Sequence, residues 1–169
     1  LDLQSETREL GSLVDELVQL ATDTWDDEPE VQVSLDQLVE RVAERTRRRT
    51  GRDVIVVAEP ATMLGRPREL TRAIGNLVDN AAKFSDAPSV VEVTVRPMTV
   101  QVRDHGPGVL PVDQPHVFDR FYRSAEARSK PGSGLGLAIV DQIARNHGGS
   151  VRVENADNGG AIFTLSFPN

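Results

Sequence analysis

Gly132, Gly134 and Gly136 stand at alternate positions and run straight into Leu137, Ile139, Val140, Ile143 and Ala144, an apolar pattern at helical spacing. A chain that passes from glycine backbone into a helix points several free amide N–H groups, and the positive end of the helix, at one place. The run Gly132-Ser133-Gly134-Leu135-Gly136-Leu137 therefore reads as an anion loop suited to phosphate. Glycines at this spacing also serve tight turns and close helix packing, so the run needs support from elsewhere in the chain. No lysine follows the last glycine and no strand pattern precedes the first, which excludes both the P-loop and the dinucleotide-binding loop.

The 169 residues suit one globular domain with a short appendage, and 38% hydrophobic with 27% charged residues is enough to bury a real core. A formal net charge of -7 argues against a nucleic-acid partner, and the local run Arg45, Arg47, Arg48, Arg49 and Arg52 reads as a solvated helix end. The absence of cysteine removes disulfides, zinc-thiolate sites and thiol nucleophiles together. No apolar stretch is long enough to span a bilayer and no signal peptide opens the chain, so the expectation is a soluble segment, whatever a longer parent contains.

Residues 1–24 carry Leu3, Leu10 and Leu17 at sevenfold spacing, with Leu13 and Leu20 as a second row. The pattern predicts a helix with a coiled-coil-like seam; the alternative is a single helix capping the domain's own core. Residues 25–33, with Asp26-Asp27-Glu28-Pro29-Glu30, are expected to form a linker. The domain proper, residues 34–169, begins with Ser34 as N-cap of a helix through Leu35, Leu38, Val39, Val42 and Ala43 that ends near Gly51. A strand at Val54-Ile55-Val56-Val57 and a helix from about Pro67 to Phe84 follow. Val91, Val93 and Val95, then Val100 and Val102, alternate as a hairpin around Arg96-Pro97-Met98. Residues 104–131 read as a long, mobile connection whose one helical pattern is Val117 to Tyr122. His147-Gly148-Gly149 and Gly159-Gly160 then separate the glycine-led helix and two last strands. The pattern implies an α+β domain, an α/β sandwich in which helices pack on one face of a mixed or antiparallel sheet.

Two further stretches carry chemistry. Asn76 and Asn80, four apart, share a helix face with Lys83 beside them. Carboxamides and an ammonium together can ligate a magnesium ion and neutralise phosphate oxygens, although asparagines in structural hydrogen bonds are the alternative. Asp104-His105-Gly106-Pro107-Gly108 follows a strand directly. A carboxylate at a strand end can accept from an exocyclic amine, and Gly106 and Gly108 let the backbone approach a flat ring; by itself the stretch could be only a turn.

The order is Asn76 to Phe84, Asp104 to Gly108, Phe118-Asp119-Arg120-Phe121-Tyr122-Arg123, Gly132 to Leu137, and then His147-Gly148-Gly149. In that order the stretches resemble the N, G1, F and G2 boxes of the GHKL ATPase superfamily, specifically the catalytic ATP-binding domain of two-component sensor histidine kinases. The resemblance covers residues 34–169 and implies the Bergerat α/β sandwich, with ATP and Mg2+ as ligands. It implies that Asp104 reads the adenine amino group with Gly106 and Gly108 beneath the ring, and that Phe84, where relatives often have tyrosine, lies against the adenine. Asn80 would ligate magnesium, with Asn76 as second metal oxygen, and Lys83 would stand at the phosphates. Arg120 and Arg123 would be lid residues meeting the terminal phosphate or the partner helices. Gly132, Ser133, Gly134, Leu135, Gly136 and Leu137 would close the lid over the triphosphate. Ala161 departs from the serine or threonine common in relatives before the final strand.

Relatives that hydrolyse ATP carry a glutamate base where this chain has Asn76, whose amide takes no proton at neutral pH; phosphoryl transfer to a protein side chain fits better. None of His105, His116 and His147 sits in the family's acceptor pattern. Residues 1–24 then read as the tail of a dimerisation helix whose acceptor histidine lies outside this chain. The implied partners are the phosphoacceptor dimerisation domain of the parent homodimer and a cognate response regulator, with the parent anchored in a membrane and this part in the cytoplasm. The rival readings are a protein serine kinase of the anti-sigma-factor type and a regulatory nucleotide-binding module without catalysis.

Overall fold

The computed structural model describes residues 3–21, 28–130 and 132–169. Asp26 and Asp27 of the expected linker, the side chain of Leu20, and Pro131 lie outside the described residues. The amphipathic patterns become the helices α1 (Leu3–Ala21), α2 (Leu35–Thr50), α3 (Pro67–Phe84) and α4 (Gly136–Asn146). In α3, Pro67 supplies the first turn, where no N–H is needed, and Leu70, Ala73, Ile74, Leu77, Val78 and Ala81 form its buried stripe.

Five strands make a mixed sheet: β2 (Val54–Ala58), β4 (Val91–Arg96), β5 (Thr99–Arg103), β6 (Ser150–Asn155) and β7 (Ala161–Ser166), in the order β2-β4-β5-β7-β6. The β2–β4 pair is parallel because α3 lies between the two strands in sequence, and the other pairs are antiparallel. The register aligns Val56, Val93, Val102, Phe163 and Val153 in one row and Val95, Val100, Leu165 and Val151 in the next. This apolar face packs under α2, α3 and α4 to form the core. The other face carries Ile55, Glu92, Arg103, Ile162 and Glu154 in register, so the alternation along each strand decides which side the helices cover. Helices on one face of a mixed sheet is the architecture expected from the sequence.

Three local expectations need correction. Residues 31–33 are not linker: Val31–Ser34 is a strand, β1, paired antiparallel with β3 (Thr62–Gly65). The pair is fixed by burial of Val33 and Met63 and by the Leu35 N–H, which donates to the Ala61 carbonyl at 2.8 Å. Glu28 is likewise engaged, its carboxylate accepting from the amides of Arg68 at 2.7 Å and Glu69 at 3.3 Å and so capping α3 from outside the helix. Residues 117–122 do not form a helix; a single 3-10 turn at Gln114–His116 is followed by turns, and Phe121 adopts a left-handed φ of 65°.

On α1, Leu13 packs against the core while Leu3, Leu10 and Leu17 are exposed. Where α4 ends, the His147 ring is buried; its Nε2 accepts from the Arg66 N–H at 3.0 Å, which leaves Nδ1–H to donate to the Ile143 carbonyl at 2.8 Å. The Glu69 carboxylate, 3.7 Å from Nδ1 and beside the Asn146 side chain, is 4% exposed. Burial pushes its pKa up, and the neighbouring His147 and Arg66 offset this only in part.

Candidate nucleotide site

The site is a cavity of about 400 Å³ between α3, the end of β5, the connection after β5, and the start of α4. That volume suits a small organic ligand. Its base is Asp104, the residue after β5, which is buried. Asp104 Oδ1 accepts from the amides of Gly106 and Ala161, each at 3.0 Å, while its own N–H donates to the Ala161 carbonyl at 3.0 Å. One carboxylate oxygen is thus used to hold the turn, and Oδ2 remains for a ligand in the cavity that Asp104 lines. Gly106 is not on the cavity wall; a Cβ there would lie 2.1 Å from the Phe84 carbonyl oxygen, so the glycine is what lets the turn close against the end of α3. Gly108 does line the cavity, and so does the methyl group at Ala161.

The α3 wall carries Asn76, Asn80, Lys83 and Phe84, brought together by helical spacing. Asn76 Nδ2 donates to the Gly136 carbonyl at 3.1 Å, which ties the N-box helix to the glycine loop and leaves Oδ1 as its free acceptor. The Asn80 side chain makes no hydrogen bond among the described residues. The Lys83 ammonium sits 5.7 Å from the centre of the Phe84 ring and that of Lys130 sits 5.9 Å from it, so cations lie over this aromatic face. Lys130 also donates to the Lys83 carbonyl at 3.0 Å. Burial, then the nearby Arg123 and Lys130 charges, holds the Lys83 pKa below its usual value. An anion placed here would relieve that crowding.

Opposite stands the connection between β5 and α4. The Tyr122 hydroxyl donates a short hydrogen bond to the buried Asp113 carboxylate, and Arg123 Nη2 donates to the carbonyls of Ala127, at 2.6 Å, and Lys130. The Phe121 N–H donates to the Gly134 carbonyl at 3.0 Å. Gly134 has φ of 75°, and a Cβ there would sit 2.8 Å from the Phe121 carbonyl carbon, so only glycine allows the two segments to touch. Gly132, Ser133, Gly134, Gly136 and Leu137 line the cavity; Leu135 does not, because its side chain is fully buried in the core and anchors the loop. Arg123 faces the cavity but Arg120 does not: it is exposed, separated from Tyr122 and Arg123 by the left-handed residue Phe121.

Asp113 and Glu16 also line the cavity, and neither was singled out from the sequence. Asp113 is recognisable only through its tyrosine partner nine residues on, and Glu16 lies 117 residues from its contact, Ser133. Among the described residues no group of three or more His, Cys, Asp or Glu side chains could hold a metal. The free amide oxygens of Asn80 and Asn76 do suit magnesium, which takes few protein ligands and completes its shell with water and phosphate oxygens.

Residues 65–169 match the family described as histidine kinase-, DNA gyrase B-, and HSP90-like ATPase. The chain is 43% identical over 174 residues to the signal transduction histidine-protein kinase/phosphatase MprB of Mycobacterium avium (strain 104), an alignment covering 98% of this chain and 33% of that protein. It therefore spans about a third of the length of the curated relatives it matches. Among solved structures, the mycobacterial sensor histidine kinase MprB superposes with a TM-score of 0.72 at 36% identity, covering 82% of this chain and 97% of that one. The ATP-binding domain of PrrB from Mycobacterium tuberculosis gives 0.69 at 30% identity, covering 84% and 98%.

Proposed function

We propose, from the premise that this chain belongs to the histidine kinase-, DNA gyrase B-, and HSP90-like ATPase family as the catalytic ATP-binding domain of a sensor histidine kinase, that its cavity binds ATP with magnesium and presents the γ-phosphate to a histidine of the parent's dimerisation domain. The observation that carries the reading is the polarity of the cavity, which is lined by the buried Asp104 carboxylate on one side and by the Lys83 and Arg123 cations on another, with the Lys130 charge close to Lys83. Asp104 Oδ2 accepts from the adenine amino group. Lys83 and Arg123 meet the phosphates, and the amides of the loop at Gly132, Gly134 and Gly136 complete the anion site. Magnesium, held by Asn80 with Asn76, supplies charge neutralisation at the transferring group.

Asn76 favours transfer over hydrolysis. Its amide is already committed to the Gly136 carbonyl and cannot take a proton from water, so this wall offers no general base at that position. The acceptor histidine and the dimer it belongs to lie in the parent protein, as does any membrane anchor, and the response regulator that receives the phosphate is a separate partner. No described helix is long and apolar enough to cross a membrane. The high identity to histidine kinases favours this reading over a serine kinase of the anti-sigma-factor type.

Magnesium-dependent ATP binding, measured by calorimetry on the wild type and Asp104→Ala, tests the assignment. Loss of a hydrogen bond to a charged acceptor lowers affinity by at least about tenfold. Equal affinity of the two proteins would overturn the adenine role of Asp104.

A further inference from the structure

Glu16 lines the cavity with Asp79, Asp104, Asp113 and Glu126, and of these it is the carboxylate bonded to the glycine loop. It lies on α1, outside the family-matched residues 65–169, yet it lines the cavity together with Lys83, Ser133 and Gly136. Its Oε2 accepts from the Ser133 hydroxyl at 2.5 Å, and the Ser133 oxygen in turn accepts from the Leu135 N–H at 3.2 Å, immediately before α4. The Glu16 charge is felt at Lys83 and, with that of Asp15, at Arg72 of α3. Arg72 is half-buried against α1, and its Nε has no hydrogen-bond partner, so the cation is held there by the acidic face of α1 rather than by a specific bond. α1 is therefore docked by Leu13 on the core, by the Glu16–Ser133 bond and by charge, and the docking places a carboxylate at the loop hydroxyl, within reach of the Lys83 charge.

We infer that Glu16 determines which nucleotide the docked α1 tolerates: its carboxylate occupies the counter-charge that a terminal phosphate would use. The inference rests on the ATP reading of the cavity. A carboxylate and a phosphoryl group compete for the same donors and repel each other, whereas the adenine amino group carries no charge to be repelled. Docking of α1 and binding of a terminal phosphate then oppose each other, and by linkage each weakens the other by the same factor. ATP loosens α1 from the glycine loop, and loss of the terminal phosphate lets it return. The side chain that couples the nucleotide state to the amino-terminal helix is thus Glu16, with Ser133 as its contact on the loop.

The test compares ATP and ADP binding with magnesium for wild type, Glu16→Gln and Glu6→Gln. Glu6 is exposed on the same helix and serves as the charge control. Glu16→Gln is expected to tighten ATP by about fivefold or more, the low end of coupling between linked sites, while ADP changes less than ATP. Glu6→Gln is expected to leave both affinities at wild-type values. In parallel, amide exchange in α1 of the wild type is expected to quicken with ATP and not with ADP, and this difference should vanish in Glu16→Gln. If neither nucleotide binds the wild type, the ATP reading falls and this inference with it. If both bind but Glu16→Gln leaves the ATP-to-ADP ratio unchanged, or Glu6→Gln shifts it equally, only the role of Glu16 is refuted.

Discussion

At the scale of single residues, the family-like positions divide into those that face the ligand and those that make the facing possible. Asp104 does both, since one oxygen holds the amides of Gly106 and Ala161 while the residue lines the cavity in which the adenine is proposed to sit. Leu135 and Gly106 only support: one is a core anchor and the other a point of backbone approach. The order of motifs made these positions legible in the sequence, but not this division of labour, which depends on contacts between distant segments such as Gly106 with Phe84. Glu69 is a residue the motifs do not mention, and its burial has a measurable consequence. Its unfolded value is about 4.5 and its folded value is raised by burial. The folded state therefore holds the proton more tightly, so this group's contribution to stability is full below about pH 4.5 and is lost as pH rises through the folded value. Glu69→Gln is expected to melt at a higher temperature than wild type at pH 7, with the gain shrinking towards pH 4.5; thermal melts across that range decide it, and a gain independent of pH would contradict the assignment.

At the scale of elements, period and capping account for what could be read in advance. α2, α3 and α4 bury the stripes their spacing predicts, and β4 and β5 bury the alternate valines. β1 and β3 escaped because each is four residues long, with Val31 and Leu64 exposed, so their pairing is a long-range event with little local pattern. The stretch 117–122 is short and rich in weak helix formers, and the bonds Phe121 to Gly134 and Tyr122 to Asp113 hold it in turns instead of a helix. The connection between β5 and α4 is accordingly pinned at few points. Tyr122→Phe removes one of them, and amide exchange across residues 114–130 in the nucleotide-free protein is expected to quicken several-fold while α3 keeps its protection. Binding of ATP is expected to slow exchange in the same segment; unchanged exchange in the variant would show that the tyrosine does not hold it.

At the scale of the whole molecule, the three histidines are all occupied away from the cavity. His147 is buried and bonded to Arg66 and Ile143, His105 pairs with Glu92 at 2.7 Å, and His116 pairs with Asp119 at 3.0 Å. None lines the nucleotide cavity. Incubated with labelled ATP and magnesium, this chain is expected to gain no acid-labile phosphate, and to transfer phosphate when a histidine-bearing dimerisation domain of a relative is added; label on the chain alone would refute the first expectation. The sheet adds a last point. β5 and β7 are neighbours whose ends are clasped by the mutual bonds of Asp104 and Ala161, while the connection from residue 105 to 135 that covers the cavity leaves the sheet after β5 and rejoins the core only at α4. The cost of closing a flexible loop grows only with the logarithm of its length, about 0.6 kcal/mol per doubling. The covering segment can therefore lengthen or shorten, and so change which acceptor it admits, without the sheet or the base of the cavity registering the difference.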